Sequence, residues 1–173
     1  MKEAQAASYS VLKIHEELRL RPYAGIKDAV AAQPWYSDRE VLRMSEGMET
    51  GVYDSAAILR MYSHLSGAGE LYMIEVLEKD GWRPIGDAAL LENNLPITIG
   101  DAHYRSRGIG RCVLDRLIGR AREKGWQMLK IGMIYSYNER SRRLYTGAGF
   151  VPVCEVVDAN GNVGFSYERK LQP

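Results

Sequence analysis

The chain has 173 residues, of which 46% are hydrophobic and 26% charged. That size and balance suit one globular domain with a full core and exclude a disordered or low-complexity polypeptide. Its formal net charge of +1 selects no partner by itself, and no apolar run is long enough to cross a bilayer.

Ile14 to Arg21 alternates apolar and polar residues and ends at Pro22, the pattern of a first strand. Two helical stretches follow. Ser37-Asp38-Arg39-Glu40 sets a cap and a first-turn acid ahead of Val41, Leu42 and Met44, with Gly47 closing the segment. Asp54 caps the second, in which Ile58, Met61, Tyr62 and Leu65 recur at helical spacing until Gly67 and Gly69 stop it. Leu71 to Leu77 and Pro84 to Leu91 form a hairpin around Lys79-Asp80-Gly81, and Leu95 to Ile99 is the next strand.

From Arg111 to Lys124, Val113, Leu114, Leu117, Ile118 and Ala121 make one apolar stripe opposite Arg116, Arg120 and Glu123, and Gly125 ends the helix. Met128 to Tyr135 is a strand. Asn138 caps a short helix with Ser141, Leu144, Tyr145 and Ala148 on one face. The chain closes with a hairpin, Val151 to Val157 and Val163 to Arg169, around Asp158-Ala159-Asn160-Gly161. Hairpins followed by a strand-helix-strand connection predict an α+β fold: a mixed, mostly antiparallel sheet with helices on both faces. In it Leu95 to Ile99 and Met128 to Tyr135 run parallel, and a ligand sits at their carboxyl ends.

Between that strand and the amphipathic helix lies Tyr104-Arg105-Ser106-Arg107-Gly108-Ile109-Gly110. Amides at a helix N-terminus have no partner within the helix, and glycines let the backbone approach an anion closely, so the turn suits a phosphate. Arg105, Arg107 and Arg111 surround it. The dinucleotide fingerprint would need a small residue at Val113, and the P-loop Lys and Ser/Thr pair is missing, so neither common nucleotide motif fits. A phosphate cradle of another kind and an ordinary turn both remain open.

Charge is uneven along the chain. Asp101 to Tyr145 carries eleven Arg or Lys against four acids, a balance of +7, whereas Tyr36 to Glu70 has a balance of −3. Solvated helix faces account for both as well as ligand sites do. No aromatic residues alternate with the arginines as a stacking platform, so no nucleic acid is expected. Cys112 and Cys154 make neither a disulfide framework nor a metal set; each reads as a small buried side chain, and no metal is expected. Met1 to Gln5 lacks a basic segment followed by an apolar one, which gives a cytoplasmic reading with no membrane partner.

The order of these motifs resembles the GNAT superfamily of N-acetyltransferases, which move acetyl from acetyl-CoA to an amine. The resemblance runs from about Glu70 to Phe150. It is carried by Ile99-Gly100-Asp101, by Arg105-Ser106-Arg107-Gly108-Ile109-Gly110, and by Asn138 with Ser141, Leu144-Tyr145 and Gly149-Phe150. It implies one acetyltransferase domain over 1–173: residues to about 69 on the acceptor side, 70–150 as the acetyl-CoA-binding core, and a C-terminal hairpin at 151–173. It further implies that Arg105, Ser106, Arg107, Gly108, Ile109, Gly110 and Arg111 hold the pyrophosphate. Thr98, Ile99 and Gly100 would line the pantetheine arm, with a donor near Gly100 facing the thioester carbonyl, and Asn138 and Ser141 would complete the CoA site. Tyr145 would protonate the departing thiolate. A homodimer is an admissible assembly.

A general base is also required. Leu95 to Ile99 carries no acid, which leaves Asp87, Glu92, Asp101 and Glu46 as candidates, each of them equally readable as an ordinary surface or turn acid. His103 reads as a loop residue near the phosphates. Trp35, Tyr36 and Tyr53 beside Glu46 and Asp54 can line a pocket for a cationic amine or pack the first helices on the sheet. Trp35-Tyr36 and Glu40-Val41 are locally similar to aminoglycoside 6′-acetyltransferases. The acceptor expected is a primary amine, on a small molecule such as an aminoglycoside or on a protein N-terminus. The alternative is a non-catalytic CoA-binding sensor or assembly module.

Overall fold

The computed structural model describes residues 9–48 and 50–171; Met1 to Gln5, read above for a leader, lie outside them. The chain opens with a hairpin of β1 (Leu12–His15) and β2 (Leu18–Pro22), not the single strand expected over Ile14 to Arg21. The adjacent acids Glu16 and Glu17 break the alternation and form the turn, with no Gly or Pro to announce it. Next comes α1 (Ile26–Ala32), a helix the sequence pattern does not flag. Its exposed residues include Ile26 and Val30, and it buries Ala29 and Ala32, so no apolar stripe marks it.

The two capped helices are α2 (Arg39–Ser45) and α3 (Ser55–Ala68). Asp38 accepts from the Glu40 amide and Asp54 from the Ala57 amide. Gly67 lies inside α3, and Gly69 ends it. The long hairpin is β3 (Glu70–Glu78) and β4 (Gly81–Leu90), followed by the short β5 (Ile97–Ile99). A 3-10 turn capped by Asp101 leads through the glycine turn into α4 (Ile109–Glu123). The remaining elements are β6 (Met128–Tyr135), α5 (Glu139–Gly147), β7 (Val151–Val157) and β8 (Val163–Lys170).

The strands divide into a five-stranded sheet, β1-β2-β3-β4-β5, and a three-stranded sheet, β6-β8-β7. Every ladder among the described residues is antiparallel. The parallel pairing expected between the strands after Leu95 and after Met128 is not formed, because β5 and β6 are edges of different sheets with a cleft between them. Alternation along β3 and β4 explains their burial on both faces. Tyr72, Ile74, Ala88 and Leu90 pack on one side with α4, β6 and β8. Leu71, Met73 and Ala89 pack on the other with α1, α2 and α3. Asp87 shares its parity with Ala89 and therefore points into the second, helical side. A register shift in the β3–β4 ladder between Ile74 and Glu75 and another in β6–β8 between Ile131 and Ile134 bend both sheets beside the cleft.

Candidate active site

A cavity of about 550 Å³ fills the cleft, walled by α2, β5, the glycine turn, β6 and α5. At one end lies the turn. Among the described residues no acceptor is found for the amides of Ser106, Arg107, Gly108, Ile109 and Gly110, whereas the Arg111 and Cys112 amides bond the Gly108 carbonyl. Gly108 has φ 81° and Ser106 φ 60°. A left-handed serine is strained by roughly 1 to 3 kcal/mol, and this one turns a run of five unpartnered donors toward the start of α4. Arg105, Ser106, Gly108, Ile109, Gly110 and Arg111 line the cavity. Arg107 is exposed outside it, with its guanidinium 5.4 Å from the Tyr104 ring centroid.

Arg105 is occupied within the protein. Its Nε donates to the Ile99 carbonyl (3.0 Å), and Nη2 donates to the Gly100 carbonyl (2.6 Å) and to Asp38 (2.9 Å). The side chain therefore ties the end of β5 to the start of α2. Gly100 does not line the cavity: it is buried under Trp35, whose ring would collide with any Cβ at that position. Thr98 and Ile99 do line it. The ladder pairs Asp87 with Thr98, and the Ala89 amide donates to the Pro96 carbonyl. By the alternation of antiparallel pairs, Thr98 turns its main-chain groups to β4, and Ile97 and Ile99 turn theirs to the open edge. Ile97 is a lining residue that the sequence reading does not single out.

Tyr145 lies deep in the cavity wall, and its hydroxyl donates to the Leu95 carbonyl at 2.5 Å. Burial raises its pKa well above that of an ordinary tyrosine, so the phenol is protonated. Asn138 caps α5 through the Ser141 amide (3.1 Å) and gives its Nδ2 to the Met44 carbonyl (3.0 Å). Ser141 also lines the cavity.

The acids separate clearly. Asp87, only 3% exposed, accepts from Tyr62 (2.7 Å) and Tyr36 (2.9 Å), both at Oδ2. Burial pushes its pKa up to about 6, against the pull of those two phenols and with help from the charge of Glu46. Glu46 lies in the same cavity and is raised by burial, with Tyr53 donating to Oε2 at 3.2 Å. Glu92 is outside this cavity. Asp101 is bound to Arg83 and His103 and caps the 3-10 turn, and His103 is largely exposed. Of the aromatic residues expected around an amine, Tyr36 lines the cavity, Tyr53 packs behind it on Tyr36, and Trp35 is buried against Gly100. Asp54 is spent on its cap. Both cysteines are exposed, against the expectation of burial, since Cys112 falls on the polar face of α4 and Cys154 on the open strand β7. Tyr62 is the participant missed: its helical spacing marks it as core, and nothing local shows that its hydroxyl meets Asp87.

No protein-family model matches the chain, and no curated protein matches it in sequence. Solved structures do match in shape. The microcin C7 self-immunity acetyltransferase MccE, solved with acetyl-CoA and AMP, aligns over 96% of this chain and 99% of its own at TM-score 0.72 and 13% identity. The aminoglycoside acetyltransferase AAC(6′)-Ib, solved with coenzyme A, aligns over 88% and 94% at TM-score 0.69 and 16% identity. An acetyl transferase of Salmonella typhimurium that modifies the N-terminal serine of a 50S ribosomal subunit protein aligns over 94% and 99% at TM-score 0.72 and 15% identity. With its split antiparallel sheet and the cleft that opens at the glycine turn, the chain has the fold of the GNAT superfamily acetyltransferases.

Proposed function

We propose that the protein is an acetyl-CoA-dependent N-acetyltransferase acting on a small-molecule primary amine by direct attack. The observation that carries this reading is the run of five unpartnered amides from Ser106 to Gly110, which opens onto a cleft whose far wall holds Asp87 and Glu46. The amides and Arg111 would hold the pyrophosphate, and the open edge of β5 would bond the pantetheine arm as an added strand. When bound, acetyl-CoA supplies an activated acetyl thioester. Asp87 takes one proton from the acceptor ammonium, for which a carboxylate with a pKa near the working pH is suited. An edge amide of β5 faces the developing oxyanion; a well-placed donor of this kind contributes roughly 3 to 4 kcal/mol. Tyr145, whose Oη proton rests on the Leu95 carbonyl in the free protein, would turn that proton to the leaving sulfur. In balance, a C–S bond is exchanged for a C–N bond, with an N-acetyl amine, CoA thiol and one proton as products.

The test is thiol release from acetyl-CoA with a panel of amines. Turnover is expected with at least one acceptor, and Tyr145→Phe is expected to lower kcat by about 10- to 100-fold with CoA affinity little changed. CoA binding without turnover on any amine would favour a sensor or assembly module. The transferase reading is preferred because a carboxyl, Asp87, and a protonated phenol, Tyr145, line the same cleft.

A further inference from the structure

The acceptor end of the cavity has an unbalanced charge. Both phenols that reach Asp87 bond Oδ2, and Oδ1 has no donor among the described residues. Among the described residues no sealed side-chain oxygen or nitrogen lacks a partner, so this oxygen of an otherwise buried residue opens onto the cavity that Asp87 lines. Glu46 reaches the same cavity. Among the described residues neither acid is held by a cation: their partners are tyrosine hydroxyls and, for Glu46, Ser45. The arginines of the cavity pair with other acids, Arg105 with Asp38, Arg140 with Glu40 and Arg111, at the glycine turn, with Asp115.

A single amine cannot balance these two carboxylates during reaction. The attacking nitrogen must be neutral, so its proton passes to Asp87 and its charge is gone when the bond forms. Glu46 would then be left as a lone, half-buried carboxylate, and leaving such a charge unpaired is costly. The stacked rings of Tyr36 and Tyr53, with centroids 5.9 Å apart, give one hydroxyl to each acid, so the two acids belong to one binding surface. Met44, Met61 and Leu65 line the cavity beside them. These apolar, flexible walls accept a methylene chain and offer no partner to ring hydroxyls.

Resting on the acetyl-transfer reading above, we infer that the acceptor is an aliphatic di- or polyamine, its reacting nitrogen at Asp87 and a second ammonium, a few methylenes away, at Glu46. A substrate bearing its own carboxylate is rejected by the same pair of acids.

The experiment compares kcat/KM for 1,4-diaminobutane, spermidine, 1-aminobutane, L-alanine and kanamycin with acetyl-CoA, in the native protein and in Glu46→Gln. One of the two polyamines should exceed 1-aminobutane by on the order of tenfold or more, with L-alanine and kanamycin lower still. Glu46→Gln should reduce that preference to about threefold or less, chiefly by raising KM for the di- and polyamine. Equal rates for diamine and monoamine, a preference that survives Glu46→Gln, or kanamycin as the best acceptor would each overturn the proposal and leave acetyl transfer standing. Absence of thiol release with every amine would instead overturn the acetyl-transfer reading and this proposal with it. A native-like melting profile for Glu46→Gln separates a lost contact from a lost fold.

Discussion

Asp87 occupies a position on β4 that its neighbours Ala89, Leu71 and Met73 fill with apolar groups, and the tyrosines that surround it supply hydrogen bonds but no charge. Two consequences follow, with opposite signs for activity and stability. As the proposed base it would work only when ionised, so kcat/KM should rise with pH up to about 6 and level off above it. For stability, the folded state binds this proton more tightly than the unfolded chain does, whose Asp has the ordinary value of 3.8. The carboxyl therefore costs nothing below pH 3.8, and stability falls as pH rises toward 6. Above that the full cost, about 3 kcal/mol, is present. Asp87→Asn should then lose at least about 100-fold in kcat yet melt higher than native at pH 7.5, with the gain vanishing near pH 4. A lower melting temperature at pH 7.5 would show that ionised Asp87 stabilises the fold. At this scale the sequence displays the acid as one of four candidates. Its selection depends on strand parity and on hydroxyls from residues 25 and 51 positions away, which no local pattern contains.

Helix α2 crosses the cleft as a strap. At its start Asp38 meets Arg105, whose guanidinium holds the Asp38 carboxyl below its usual range. At its end the carbonyls of Arg43 and Met44 take hydrogen bonds from Tyr137 and Asn138, and in its first turn Glu40 meets Arg140. The resemblance assigned Arg105 and Asn138 to the CoA side; here both also position the helix that carries Glu46 at its C-terminus. Asp38→Asn separates the two roles of Arg105, since asparagine caps a helix as well as aspartate does but removes the ion pair. The strap reading gives a rise of about fivefold in KM for the amine with KM for acetyl-CoA unchanged, a loss near 1 kcal/mol. A rise confined to acetyl-CoA would make Arg105 a phosphate ligand first. The caps of α2, α3 and α5 were legible because each is a local bond between a side chain and an amide two or three residues on. The helix α1 and the turn at Glu16-Glu17 were not, because tertiary burial of small residues fixes the one and a pair of acids without turn chemistry forms the other.

Across the molecule, the ionised groups pull the pH optimum of stability in opposite directions. Burial would raise Glu70, but Arg120, Lys124 and Tyr72 outweigh it and hold the carboxyl down to about 2. Its contribution is present above the ordinary 4.5 and is lost as pH falls toward 2, the reverse of Asp87. Glu70→Gln should cost about 3 kcal/mol at pH 7, read as a lower denaturation midpoint, and should flatten the native decline in melting temperature between pH 4.5 and 3. The fold class was readable from the hairpins and the strand-helix-strand connection. The gap between β5 and β6 was not, since each strand has the same apolar pattern whether or not its neighbour is paired.

That gap bears on solubility. An unpaired strand edge is a template for pairing with another chain, and the open edge of β5 lies in a cleft also walled by α2 and α5. At the other sheet's edge β7 has no such cover among the described residues: Val151, Val153 and Val157 stand in solvent, with Pro152 and Glu155 as the residues that interrupt the run. The protein thus hides the edge that the proposed chemistry uses and leaves protection of the other, among the described residues, to one proline and one charge.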